Sequence, residues 1–256
     1  MKYGRLPRAF SPAIPHWSAL KMGSPPIAVP PQVNYTKNLP ANLGEMLNAT
    51  IGDCADAAYG HALQVWSVLA GKPILTVSDT SVEALYSATT GYVPGKPSTD
   101  TGTVLQALLA YLVNTKQPAG GLPRLAAFVE LDPTNEADLN RATYEGALIY
   151  IGFSVPAYFE AKGYDSTGSL WDIDPSGDQS VIGGHCVISA GYRPGVREII
   201  SWGSAGYGMT TAFWHQNVDE AYALVSDEFI EATGKTPLGL TLDAWQAQMQ
   251  ALRMAA

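Results

Sequence analysis

The sequence predicts an α+β chain: a helical first half and a strand-rich second half, preceded by an extended arm. Three observations lead there. Eight of the 18 prolines fall in the first 40 residues, and proline fixes φ and removes a donor, so that stretch is read as extended rather than helical. Residues 53–116 carry three runs with helical patterning. After the Gly120–Gly121 pair the pattern changes to short apolar and β-branched runs separated by turn residues.

The arm, residues 1–44, is cationic and aromatic. Lys2, Arg5, Arg8, Lys21 and Lys37 precede the first acid, Glu45, giving +5; the remainder has ten basic against 23 acidic residues, or −13. The arm interleaves Tyr3, Phe10, Ile14, Trp17, Leu20, Val29, Val33 and Tyr35, so it is expected to lie on a surface, either the chain's own body or a neighbouring subunit. The overall charge of −8 argues against nucleic-acid binding, which needs Lys and Arg on phosphates. No apolar run is long enough for a membrane span. The N-terminus has no continuous apolar stretch of the secretory kind, and two cysteines make no disulfide framework and suit a reducing compartment. Synthesis in the cytoplasm is expected.

In the helical half, residues 53–70, "DCADAAYGHALQVWSVLA", read as a helix with Asp53 as N-cap and "GKP" as its end. "DTSVEALYSATTG" and "DTGTVLQALLAYLVNTK" are the next two helices. In the second half "RLAAFVEL" is a strand, "NEADLNRATYEG" a short helix and "ALIYIGFSV" a buried strand. An acidic, glycine-rich loop follows, and "HCVISAGYRPGVREIISWG" is a hairpin turning at "RPG". Near the C-terminus Leu242, Trp245, Met249 and Leu252 stand at the spacing of a packing helix.

Cys54 is one of two cysteines. At a helix N-terminus the unpaired amides and dipole favour a thiolate; among alanines a cysteine is equally a core residue. A nucleophilic cysteine needs a base, and the chain has four histidines. His61, seven residues on, is roughly 10 Å along the helix and out of reach; it is read as a surface or core residue. His16 lies in the arm, and His215 is read as structural or exposed. His185 in "VIGGHCVISAGY" opens a strand behind Gly183 and Gly184, 131 residues after Cys54. Strand alternation turns Cys186 away from whatever His185 faces, so Cys186 is read as a core thiol and a Cys54–Cys186 disulfide is not expected.

"GDCADAAYGHAL", "GGHCVISAGY" and "SWGSAGYG", in that order, resemble the papain-like cysteine peptidase superfamily, over about residues 45–225. The 131-residue interval also fits that superfamily. The resemblance implies a two-lobed fold, with a helical lobe (about 45–120) opened by the cysteine helix and an antiparallel barrel-like lobe (about 121–225), followed by a tail at 226–256. It implies Cys54 as nucleophile, His185 as base and acid, and no cofactor. Asn48 stands where the superfamily has its oxyanion-hole glutamine, with the Cys54 N–H as second donor. Where the superfamily has an Asn orienting the imidazole, this chain has Ile200; Ser201 is adjacent, and alternation lets only one of the two face the cleft. Trp202 is expected to shield the site, and Trp171, Asp53, Gly184 and the acidic loop (Asp165, Asp172, Asp174, Asp178) to contribute to the cleft. A zinc site built on Cys54 and His185 lacks clustered ligand spacing, and no metal is expected.

More narrowly, "GDC", "GHCV", "SWG" and "DEAYALVS" are similar to proteins of tailed bacteriophages and their hosts. Two functions follow as expectations. One is a hydrolase of peptide or isopeptide bonds, acting on a peptide or protein substrate through a Cys54 thioester. The other is a virion structural or decoration protein that keeps the fold and uses residues 1–44 to bind neighbouring subunits. An arm strapped over the cleft links the two.

Overall fold

The structure, a computed structural model, describes residues 2–9, 14–20, 27–227, 229–230 and 247. The predicted C-terminal helix with Leu242, Trp245, Met249 and Leu252 therefore lies outside the described residues. The described arm is extended apart from one helical turn, α1 (Trp17–Leu20), which buries Trp17 and Leu20. This turn departs from the all-extended expectation. No proline interrupts it, and its two large apolar residues lie three apart, so a single turn brings both to the body. Strand β1 (Val33–Asn34) then lays the arm along the body's sheet.

Helix α2 (Cys54–Leu69) is buried on every side from Cys54 to Trp66, which is why it is rich in alanine and carries no charged solvent face. Helix α3 (Asp79–Thr90) is capped by Ser78, whose side chain accepts from the Ser81 amide, and ends at Gly91 in the left-handed region. Helix α4 (Leu105–Asn114) starts later than the sequence pattern suggests. Gly102 has φ +85, and the Thr103 backbone is spent on residues 4 and 6, so neither joins the helix. Leu105, Leu108, Leu109 and Leu112 are all fully buried, each worth about 1.5–3 kcal/mol.

The second half supplies β2 (Leu125–Leu131), α5 (Glu136–Tyr144), β3 (Leu148–Pro156), α6 (Tyr158–Ala161), β4 (Leu170–Trp171), β5 (Val181–Arg193), β6 (Val196–Ser201), β7 (Ser204–Thr210), α7 (Thr211–Asn217) and β8 (Val218–Ser226). The strand order is β2-β8-β3-β5-β6-β7-β4, with β1 on β5. All pairings are antiparallel except β4 with β7. The predicted hairpin turns at Gly195, φ +76. Strand β8, which the sequence pattern did not separate from the helix before it, inserts between β2 and β3.

The sheet is buried on both faces. One apolar layer joins it to α2 and α4 and contains Cys54, Cys186 and Ile200. The other contains Trp17, Phe153, Phe159, Trp171, Trp202 and Phe213. Among the described residues no helix is long and apolar enough to cross a membrane.

Candidate active site

Cys54 is the first residue of α2, as the sequence predicts, but its surroundings differ from the expectation. Asp53 stands at the N-cap position without capping: both carboxylate oxygens are buried and make no hydrogen bond of ordinary length. Burial, with Asp56 close by, pushes Asp53 up to about 9, so at neutral pH it is an uncharged acid inside the helix start and not a cleft wall. Burial likewise pushes the Cys54 thiol up to about 12, although backbone hydrogen bonds from Gly4 and Cys186 pull it down. A shift of that size is about 4 kcal/mol, against about 0.3–2 kcal/mol for a helix dipole. Desolvation wins, and Cys54 is a neutral thiol in this state. Both cysteines are free.

His185 sits in β5 opposite Phe153. Its ring stacks on Trp202 with centroids 4.6 Å apart and planes 12° apart, and meets the edges of Phe153 and Tyr3. Nε2 is 2.9 Å from Ser201 Oγ, while Nδ1 has no partner. Full burial brings the imidazole down to about 3, so it is neutral. The choice left open by strand alternation is settled: Ile200 joins the apolar layer containing Cys54, and Ser201 turns to the imidazole. A hydroxyl both donates and accepts, so Ser201 fixes the ring's position but not which nitrogen carries the proton.

The Trp202 that covers His185 holds φ +44, and Trp171 packs behind it with centroids 6.1 Å apart. Trp171 is fully buried and donates to the Tyr164 carbonyl; it backs the shielding ring instead of lining the cleft. The acidic loop is also engaged elsewhere. Asp172 accepts from Thr210, Asp174 pairs with Lys162 and Asp178 accepts from the Ser180 amide, whereas the Asp165 carboxylate lies within electrostatic reach of Tyr3. His61 is buried and bonded to Gln64, His16 lies beside Ser18, and His215 is exposed.

Asn48 is buried, and its Nδ2 makes no ordinary hydrogen bond. The two residues just before it, Met46 and Leu47, have φ +55 and +69; with Trp202 they are the positive-φ residues other than glycine among those described. All three adjoin site residues, as backbone strain at functional sites does. That strain is invisible in a sequence.

The arm supplies what the sequence located only in outline. Tyr3 lies 5.8 Å, ring to ring, from His185, and the backbone of the next residue, Gly4, lies beside the Cys54 thiol and lowers its pKa. Two consecutive arm residues thus touch both members of the predicted pair. A side chain on Gly4 would collide with the Gly52 carbonyl, so only glycine passes there. Gly184 carries no side chain and accepts from the Arg5 amide. Arg5 is fixed by Asp219 and Glu220, and Lys2 by Asp100.

Cys54 shares the apolar layer of Cys186 and Ile200, while His185 stacks on Trp202 of the other layer. The α+β fold itself, with α2 packed on a mostly antiparallel sheet, is papain-like, and solved structures agree. Xylellain, a cysteine protease from Xylella fastidiosa, superposes with a TM-score of 0.65 at 16% identity over 88% of this chain and 96% of its own. A Carica candamarcensis cysteine protease in complex with E-64 gives 0.52 at 16% identity over 77% and 99%. Digestive procathepsin L 3 of the Tenebrio molitor larval midgut gives 0.52 at 14% over 79% and 72%. No family model matches the chain, and no curated protein does.

Proposed function

We propose that this chain is a cysteine hydrolase that cleaves peptide or isopeptide bonds through a Cys54 thioester and is held closed by its own N-terminal strap. The observation that carries the reading is the unpaired Nδ1 of a buried, otherwise fully held His185, on the strap residue next to the one that covers Cys54. When the strap leaves, water reaches the pair. The thiol falls and the imidazole rises toward their ordinary values, and the Cys54 proton can pass to His185 Nδ1. The thiolate then attacks the substrate carbonyl. Asn48 Nδ2, which lies beside the Asp53 carboxyl in the closed chain, and the Cys54 N–H are donors for the developing oxyanion. His185 returns the proton to the leaving amine, and water hydrolyses the thioester.

Labelling by E-64, the compound in the Carica enzyme's complex, tests this directly. The wild-type chain is expected to take one equivalent, on Cys54, and Cys54→Ala none. Peptide hydrolysis unchanged in Cys54→Ala would sink the reading. Ser201→Ala removes one hydrogen bond from the imidazole, worth about 1–1.5 kcal/mol, so kcat/KM should fall about five- to tenfold. The acid limb of the pH profile should move with it, which a merely packing role of Ser201 would not produce.

A place in the particle of a tailed phage belongs to the same proposal and is supported by the phage-like motifs alone; mass spectrometry of purified particles checks it. A purely structural or decoration role needs the arm on a neighbouring subunit. The described arm residues lie instead on the chain's own body, from Lys2 on Asp100 to Val33 on Tyr192, which favours the strapped hydrolase.

A further inference from the structure

The groups that hold Arg5 bear on what enters the cleft once the strap has left; this rests on the reading of the cleft as one that binds peptides. Residues 4–6 are fixed between two walls by their backbone. The Thr103 amide donates to the Gly4 carbonyl at 2.7 Å, the Leu6 amide to the Thr103 carbonyl at 2.9 Å, and the Arg5 amide to the Gly184 carbonyl at 2.8 Å. Such bonds read no side chain, and an extended peptide of any sequence can make them. Selection therefore falls to the space beneath residue 5.

Glu220 forms the floor of that space. Its side chain is 1% exposed; Oε1 lies 2.7 Å from Arg5 Nε, and Oε2 accepts from the Tyr222 hydroxyl at 2.8 Å. Asp219, 47% exposed, forms the rim and takes both terminal nitrogens, Nη1 at 2.9 Å. Gly152 forms the back wall, paired with Cys186 on one side and Glu220 on the other. A Cβ there would stand 2.6 Å from Arg5 Nε and 2.7 Å from Glu220 Oε1, so a side chain is missing where one would fill the seat of the guanidinium.

Emptied, this pocket keeps a deeply placed carboxylate whose remaining partner is a neutral phenol. Leaving such a group without a counter-charge is costly. The fork of an arginine meets both Glu220 and Asp219 at once, which the point charge of a lysine cannot reproduce. The −13 balance of residues 45–256 also favours cationic guests. We propose that Glu220 is the specificity-determining residue of the cleft and that it selects peptides bearing an arginine at the position docked over Gly152, with Asp219 sharing the charge at the rim.

The test uses the full-length chain carrying Arg5→Ala, which frees the pocket. A fluorescent peptide copying residues 2–8 is titrated by anisotropy beside the same peptide with citrulline, uncharged and nearly isosteric, in place of its first arginine. The arginine peptide should bind saturably and the citrulline peptide at least about tenfold more weakly, the scale of a desolvated charge pair losing one partner. Adding Glu220→Gln should abolish the difference. Equal affinities, no saturable binding of the arginine peptide, or a preference that survives Glu220→Gln would overturn the proposal. The peptide comparison leaves Glu220 intact, so it stands even if Glu220→Gln folds poorly. Peptide hydrolysis measured in parallel separates the two ideas: arginine-selective binding without cleavage keeps this pocket and sinks the hydrolase.

Discussion

In the full-length chain, Arg5→Ala is expected to raise the rate of E-64 labelling at Cys54 by about 100-fold. Three arm cations pair with acids of the body, and the magnitudes of these pairs differ. The Lys2–Asp100 pair has a Lys2 side chain that is 41% exposed against an Asp100 that is 2% exposed; Asp100 keeps the Tyr86 hydroxyl and the Gly52 amide when Lys2 leaves, so the pair contributes on the order of the 0–1 kcal/mol of exposed pairs. The Arg8–Glu130 pair, with Arg8 32% exposed, belongs to the same class. The Arg5 side chain is 4% exposed and meets a Glu220 that is 1% exposed; breaking a buried pair by removing one partner costs about 3–5 kcal/mol. If that cost falls on the closed state, about 3 kcal/mol corresponds to the 100-fold. Lys2→Ala should change the rate by less than about fivefold. Labelling of Arg5→Ala at the wild-type rate would show that the strap is not held by this residue.

The second large effect concerns pH. Asp53 and Asp56 are raised to about 9 and about 8 by burial, from 3.8. The folded chain therefore keeps two protons that the unfolded chain releases, and stability is lost as pH rises toward those values. His185 and His61 are lowered by burial to about 3 and about 4, from 6.5; the unfolded chain gains their protons first, so stability is lost as pH falls below 6.5. Between about pH 4 and 6.5 the two pairs cancel, and above 6.5 only the acids act. Thermal stability should thus hold level over the mildly acidic range and decline toward pH 8. Asp53→Asn replaces a buried uncharged acid with an uncharged amide of the same shape. It should leave the melting temperature nearly unchanged at pH 4 and raise it by about 5 °C or more at pH 8, on the scale of about 2–4 °C per kcal/mol. Calorimetry at pH 4, 6 and 8 decides this; parallel declines in both proteins above pH 6.5 would show that Asp53 is ionised in the folded chain.

Much of the architecture was legible because period and punctuation are local properties. The helix opened at Cys54, the turn at Gly195 and the order of "GDC", "GHC" and "SWG" could all be read along the chain. The choice between Ile200 and Ser201 could not, because alternation gives the parity of a strand without its phase. The neutral thiol was missed for a related reason: a helix N-terminus is a local feature, whereas burial under Gly4 depends on a segment 50 residues away. Asp53 looked like a cap from its position, and only the layers packed around it make it a buried, uncharged acid. Trp171 looked like a cleft residue from its acidic neighbours, yet those neighbours turn to Lys162, Ser180 and Thr210, and the ring goes inward. The late start of α4 and the seat of Arg5 share one origin, which is that residues 3–6 of the arm take up backbone and charge from distant segments.

The bond between Arg5 and Glu220 spans 215 residues of chain, and this sets an order in time. On the ribosome the arm is made before every element it closes upon, and its charged anchor waits for β8, the last strand among the described residues. Until then residues 4–6 have the Thr103 and Gly184 backbone to hold to, but no charged anchor. The charged anchor of Arg5 can engage only after β8 has been made. In that sense the Arg5–Glu220 bond ties the start of the arm to the arrival of β8, across the distance between its two partners along the sequence.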